Sequence, residues 1–191
     1  MREMAVTVKR SKSPEVTISI PSQTLQLWRG GECLRAFRVS TARNGAGEAR
    51  GSECTPRGLH IVRAKIGARS PENTVFVGRR PTGERYTPEL GARYPDRDWI
   101  LTRILWLSGA EVGRNRLGDV DTMRRYIYIH GCPDDVPVGV PGSHGCIRMR
   151  NRDVMELFDR VDVGTRVQIA DDRQQSALVG GTARWSKPKP R

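Results

Sequence analysis

Tyr126-Ile127-Tyr128-Ile129-His130-Gly131-Cys132 and Ser143-His144-Gly145-Cys146-Ile147-Arg148-Met149 lie a short way apart in the C-terminal half of the chain. The first reads as a strand that runs straight into His130, because apolar and aromatic residues alternate up to that point. The second repeats the His-Gly-Cys tripeptide just ahead of a helical pattern. The chain has 3 histidines and 4 cysteines, so two of each fall in this window. Imidazole and thiol titrate nearest neutral pH, serve as base and nucleophile, and bind soft metals. Chemistry is expected here before anywhere else.

Downstream, Asn151 is placed to cap a helix in which Val154, Leu157, Phe158 and Val161 share one apolar face. Val163-Gly164-Thr165 closes it, and Arg166 to Ile169 reads as a last strand. Upstream, Trp99 to Leu107 reads as a buried strand. Thr55-Pro56-Arg57-Gly58 is a turn feeding the strand Leu59 to Val62. Val16 to Ile20 and Leu25 to Trp28 alternate with period two, with a bend at Pro21-Ser22-Gln23. Arg29-Gly30-Gly31-Glu32 is a hairpin turn and Leu34 to Thr41 the return strand. The Gly-rich stretch Asn44 to Gly51 is expected to be a flexible loop. From Gly67 to Asp98 the pattern weakens around Pro71, Pro81, Pro88 and Pro95, which predicts an irregular, lid-like insertion. The expectation is a single mainly β domain over residues 16–170 with one short helix after Cys146. A basic arm, residues 1–15, precedes it, and a polar, basic tail, 171–191, follows.

A chain of 191 residues suffices for one domain with a real core. Its composition, 37% hydrophobic and 28% charged, is globular rather than disordered. The net charge of +12 comes mostly from arginine and suits an acidic partner such as an anionic polymer of a bacterial wall, or simply a solvated surface. No basic helix or base-stacking aromatic pattern accompanies it, so nucleic acid is not an expected partner. No segment has membrane-span length. Met1 to Ile20 lacks a continuous apolar run, so the sequence as it stands reads as cytoplasmic; a start placed too late would look the same in a periplasmic or wall protein. Cys33, Cys54, Cys132 and Cys146 do not have the spacing of a small disulfide scaffold and are expected to be mostly reduced.

Three readings of the cluster stand side by side. One cysteine can be a nucleophile with one histidine as its base, His130 ending a strand and Cys146 preceding a helix. In that case Gly145 lets the backbone pass close to a substrate, and its amide and that of Cys146 can form an oxyanion hole. Alternatively, His130, Cys132, His144 and Cys146 form a Cys2His2 zinc site, although the spacing is not that of structural sites. The third reading is buried cysteines and satisfied histidines with no chemistry.

The segment from Ile129 to Ile169 resembles the signature of the L,D-transpeptidase catalytic domain of the YkuD type. It carries His130-Gly131, a spacer, Ser143 to Met149, a short helix, and Val161-Asp162-Val163-Gly164-Thr165-Arg166-Val167-Gln168-Ile169. Val39-Ser40-Thr41 and Thr55 to Gly58 extend the likeness, which covers about residues 16 to 170. It implies a β-sandwich cysteine acyl-transferase without cofactor or metal, acting on peptidoglycan stem tetrapeptides or muropeptides. By this likeness Cys146 attacks the carbonyl of the third-position diamino acid and expels D-Ala, and an amine or water resolves the thioester. Carried over residue by residue, Cys146 is the nucleophile, His130 the base and Gly131 its orienting carbonyl. Ser143, His144, Gly145 and Arg148 line the substrate pocket, with Arg148 suited to a carboxylate.

Where the family usually has Thr after His-Gly, this chain has Cys132, expected to replace the hydroxyl rather than to pair with Cys146. A cytoplasmic location would favour water as acceptor, making an L,D-carboxypeptidase of wall recycling. A non-enzymatic binder of anionic polymers with a zinc site is the remaining alternative. The insertion at 67–98 is expected to cap the cleft, with Arg69, Arg79, Arg80, Arg85 and Arg93 meeting acidic stem groups.

Overall fold

In the computed structural model, residues 13–171 are described. Most of the expected arm and nearly all of the expected tail lie outside them. The strands are β1 (Glu15–Ser19), β2 (Thr24–Arg29), β3 (Glu32–Arg38), β4 (Gly58–Ile66), β5 (Thr74–Val77) and β6 (Arg80–Arg85), then β7 (Ile100–Gly109), β8 (Tyr128–Gly131), β9 (Ile147–Met149) and β10 (Arg166–Ala170). Helix α1 (Pro88–Arg93) lies between β6 and β7, and α2 (Asn151–Arg160) between β9 and β10. The strands run in the order β3-β2-β1-β10-β4-β7-β5-β6, with β8 hydrogen-bonded to β7 and to β9. The domain is mainly β, as expected, in one network that branches at β7.

Period-two burial shows why the strands form where they do. Val16 and Ile18 on β1, Leu25 and Leu27 on β2, and Val167 and Ile169 on β10 all turn inward. Helix α2 lays Val154, Leu157 and Phe158 into the same core, against β7 and β8. Its C-terminus is held by Lys65, whose Nζ donates to the Val161 carbonyl at 2.6 Å and stands 4.5 Å over the Phe158 ring. A cation there also suits the negative end of the helix dipole.

Three local expectations are corrected. The insertion is ordered: β5 is built on the buried run Thr74-Val75-Phe76, while the exposed β6 and α1, none of whose residues is fully buried, leave the rest of its sequence short on apolar residues. Thr87 caps α1 by accepting from the Leu90 amide at 3.2 Å, and Pro88 opens it. Asn151 does not cap α2; Arg150 holds that position without a side-chain bond, and Asn151 is the first helical residue with its side chain buried. The Gly-rich stretch at 44–51 is clamped. Arg125 Nη1 donates to the Gly47 and Glu48 carbonyls at 3.0 and 2.9 Å, and Arg57 pairs with both Glu48, at 2.8 Å, and Asp171, at 2.8 Å. The Arg57 guanidinium holds the Glu48 carboxyl below its ordinary range, against the opposing effect of burial.

Candidate active site

Strands β8 and β9 run parallel, pairing Ile129 with Ile147, His130 with Arg148 and Gly131 with Met149. Cys146 therefore comes alongside Tyr128, two residues before His130. The Tyr128 amide approaches the Cys146 Sγ at 3.4 Å, and the thiol reaches the Tyr126 carbonyl at 3.5 Å. Side chains two apart on a strand share a face, so Tyr128 and His130 project the same way. This short parallel pair brings together the two halves of the motif that the chain separates.

His130 is fully buried. Its Nδ1 lies 2.8 Å from the Gly131 carbonyl oxygen. A carbonyl only accepts, so Nδ1 carries the proton and Nε2 presents its lone pair. Among the described residues, Nε2 is one of two buried side-chain polar atoms with no hydrogen-bond partner. Burial pushes the imidazole below its ordinary value; Asp98 and the Gly131 carbonyl oppose this and Arg148 adds to it. His130 is thus a neutral base at pH 7. The Cys146 thiol is pushed up to about 12, by burial first, with the Tyr128 amide pulling the other way. The resting pair is neutral thiol and neutral imidazole.

The turn ahead of Cys146 is held from several sides. Ser143 is buried, donates through Oγ to the Cys146 carbonyl at 2.5 Å, and accepts from the Gly145 amide at 3.2 Å. Of the two amides expected to form an oxyanion hole, that of Gly145 is therefore already engaged. Gly145 has φ +122°, a region closed to other residues, and a Cβ there would come within 3.0 Å of Ile127 Cδ1 and 3.4 Å of the Cys54 carbonyl. Its own carbonyl accepts from Thr55 Oγ1 at 3.0 Å. The Thr41 carbonyl takes both the Gly142 and Ser143 amides, and Gln23 grips Thr41 through its amide and hydroxyl at 2.8 and 2.7 Å. Neither Gln23 nor Asp98 was singled out by the sequence.

Arg148 is committed: Nη2 pairs with Asp98 at 2.7 Å and Nη1 donates to the Gly142 carbonyl at 3.1 Å. His144 is exposed, in contrast to the buried His130. Cys132 is buried, its Sγ 3.3 Å from the Met149 carbonyl, and burial pushes its thiol up to about 11. All four cysteines are free. No three His, Cys, Asp or Glu side chains among the described residues gather as a metal site, which leaves the zinc reading without a ligand set.

The family model for the L,D-transpeptidase catalytic domain, YkuD, matches residues 13–169. The chain belongs to this family. It is 48% identical over 118 residues to the probable L,D-transpeptidase YbiS of Escherichia coli K12, covering 60% of this chain and 37% of that protein. It is 44% identical over 61 residues to the probable L,D-transpeptidase ErfK/SrfK of Salmonella typhimurium, 32% of this chain and 20% of that one. The chain thus spans little more than a third, at most, of these relatives. In fold it is similar to a crystal structure of the L,D-transpeptidase of Xylanimonas cellulosilytica, with a TM-score of 0.53 and 21% identity over 86% of this chain and 63% of that chain.

In this L,D-transpeptidase domain the β5–β6 hairpin reaches β8 through Arg79 and Phe76. Arg79, at φ +68°, donates from Nη1 to the Tyr128 hydroxyl at 2.9 Å. Its guanidinium lies 4.4 Å from the Trp106 ring centroid and 5.1 Å from that of Tyr126. Phe76, from the same hairpin, joins Ile104 and Tyr128 in a small apolar cluster against which Cys146 packs. Of the arginines expected to face acidic groups, Arg79 is thus spent on aromatic rings. Arg85 donates to the Glu72 carbonyl at 3.2–3.3 Å.

Proposed function

We propose that the domain transfers the acyl group of a peptidoglycan stem tetrapeptide through a thioester on Cys146. The observation that carries this reading is the buried His130, with Nδ1 tied to the Gly131 carbonyl and Nε2 unpaired, on the strand that adjoins Cys146. A base needs a fixed tautomer and a free lone pair, and His130 has both.

In the first half-reaction the Cys146 thiol gives its proton to His130 Nε2 as sulfur attacks the carbonyl of the third residue. The Cys146 amide stabilises the oxyanion. Collapse breaks the C–N bond, and the Nε2 proton leaves with the amino group of D-Ala. In the second half-reaction an acceptor amine loses a proton to Nε2, attacks the thioester carbonyl, and displaces the thiol, which recovers the proton. With water as acceptor the same steps give a tripeptide, the L,D-carboxypeptidase outcome. A thiol held near 12 and a neutral imidazole make proton transfer concerted with attack, rather than a standing thiolate, the route at neutral pH.

Arg148 takes part through its carboxylate partner. A stem carboxylate would compete with Asp98 for the guanidinium, whose side chain is 13% exposed. The reading is tested by intact-mass measurement after mixing with a synthetic stem tetrapeptide. Wild type is expected to gain the mass of the tripeptidyl acyl group, and Cys146→Ala to gain nothing. An adduct on Cys146→Ala, or none on wild type while the peptide is turned over, would sink it.

A further inference from the structure

Behind His130 lies a buried polar cluster that the chemistry above does not use. Thr102, in the middle of β7, has φ +69°, a strained conformation for a β-branched residue, at the register shift between Leu101 and Ile104. Its Oγ1 donates to Asn151 Oδ1 at 2.6 Å and accepts from the Asn73 amide at 2.9 Å. Asn151 Nδ2 donates to Asn73 Oδ1 at 2.8 Å and to the Cys132 carbonyl at 3.1 Å. Every polar atom of the Asn151 side chain is thereby used, which fixes its amide orientation.

What this cluster holds is one peptide group. Asn151 Oδ1 packs so closely on Gly131 that a Cβ there would come within 2.2 Å of it, with the Leu101 carbonyl at 2.8 Å on another side. The next carbonyl along, that of Cys132, is bound to Asn151 Nδ2. Between these two anchors is the Gly131–Cys132 peptide, whose N–H donates to the Met149 carbonyl at 3.1 Å. In a trans peptide C=O points opposite to N–H, so fixing the N–H fixes the carbonyl that accepts from His130 Nδ1. Backbone strain persists only where surrounding contacts impose it. At Thr102 those contacts include the hydroxyl's two bonds and the donation of Arg103 Nη1 to its carbonyl at 2.7 Å.

We propose that Thr102, Asn151 and Asn73 are positioning residues for His130, a buried strap that locks the Gly131 carbonyl and so the tautomer and aim of the imidazole. Asn73 also ties the strap to the ordered insertion, since its carbonyl accepts the Tyr86 amide at 2.8 Å and it leads directly into β5. The proposal rests on the assignment of His130 as base.

The test needs no peptidoglycan. Alkylation of Cys146 by iodoacetamide is followed by peptide mass spectrometry against pH, in wild type, Thr102→Val, Thr102→Ser, Asn151→Asp, Asn73→Gly and His130→Gln. Thr102→Val and Asn151→Asp are expected to slow alkylation near neutral pH about tenfold, within the range that misplacing a catalytic group produces. Their profile is expected to become the plain rise of an isolated thiol, as in His130→Gln. Thr102→Ser restores the hydroxyl and the profile. Asn73→Gly suits the positive φ at that position, +67°, and shifts the profile the same way even if the two core variants do not fold. Folded Thr102→Val, Asn151→Asp or Asn73→Gly with the wild-type rate and profile, beside a slowed His130→Gln, overturns the strap alone. An unchanged His130→Gln removes the base assignment and the strap with it.

Discussion

Replacing Gly131 by alanine tests the geometry of the base most sharply, because nothing is lost and one methyl group is added. Gly131 is not held at positive φ, so the substitution strains no torsion. The added Cβ would come 2.2 Å from Asn151 Oδ1 and 2.8 Å from the Leu101 carbonyl. Neither atom yields easily: one belongs to a side chain bonded on every polar atom, the other to β7. Ordinary carbon–oxygen contact lies roughly 1 Å farther out, so β8 must shift by about that much or the strap must break; such overpacking costs about 1–3 kcal/mol. For a domain of this size that lowers Tm by roughly 3–10 °C. The same shift moves the carbonyl that accepts from His130, and a displacement of about 1 Å in a catalytic group costs up to about 100-fold in rate. Gly142→Ala is the control: its Cβ meets nothing nearer than the Val140 carbonyl at 4.0 Å. Thermal melts and turnover of a stem tetrapeptide by both variants decide the matter. A Gly131→Ala protein within threefold of wild type and with unchanged Tm would refute the reasoning.

Cys146→Ser is expected to abolish turnover while Cys132→Ser keeps most of it, since Cys132 is buried with its thiol directed to Met149; equal loss in both would contradict the assignment. Arg79→Ala removes a hydrogen bond and two ring contacts, and should cost about 1 kcal/mol in a melt and speed iodoacetamide access to Cys146. Unchanged access would mean that the hairpin does not guard the thiol. Burial, chiefly, pushes the imidazole of His60 down to about 4, so between roughly pH 6.5 and 4 the unfolded chain binds a proton that the folded one refuses. Stability is therefore full above about pH 6.5 and falls as pH drops towards 4, by about 3 kcal/mol from this group. Denaturant titrations against pH should show a shallower fall in His60→Gln, and an identical fall would exclude His60 as the source.

The strands legible in the sequence are those with one buried face, such as β1, β2 and β10, where alternation writes burial directly into residue type. Strand β6 leaves no pattern because its residues, Arg80 to Arg85, are almost all exposed, and α1 none because no residue of it is fully buried. Strand β9 is too short to show a period. Around the candidate site, His130 and Cys146 stood out by residue type and spacing, whereas the orienting carbonyl of Gly131 came only with the resemblance to the L,D-transpeptidase signature. Asp98, Gln23, Thr102 and Asn73 did not stand out: each acts through a contact that links segments distant in sequence, and single polar residues carry no local signature. Asn151 misled for the same reason. Its type suits a helix cap, but the tertiary bonds to Thr102 and Cys132 outweigh the local one.

Mass spectrometry of a disaccharide-tetrapeptide incubated with the purified protein, with and without an excess of a D-amino acid, tests the central claim most directly. The account predicts loss of the terminal D-Ala and incorporation of the added D-amino acid, both absent in Cys146→Ala. Loss of D-Ala unaffected by the added amine would make water the acceptor and the domain a carboxypeptidase. An unchanged tetrapeptide in both tubes would contradict acyl transfer from stem peptides altogether.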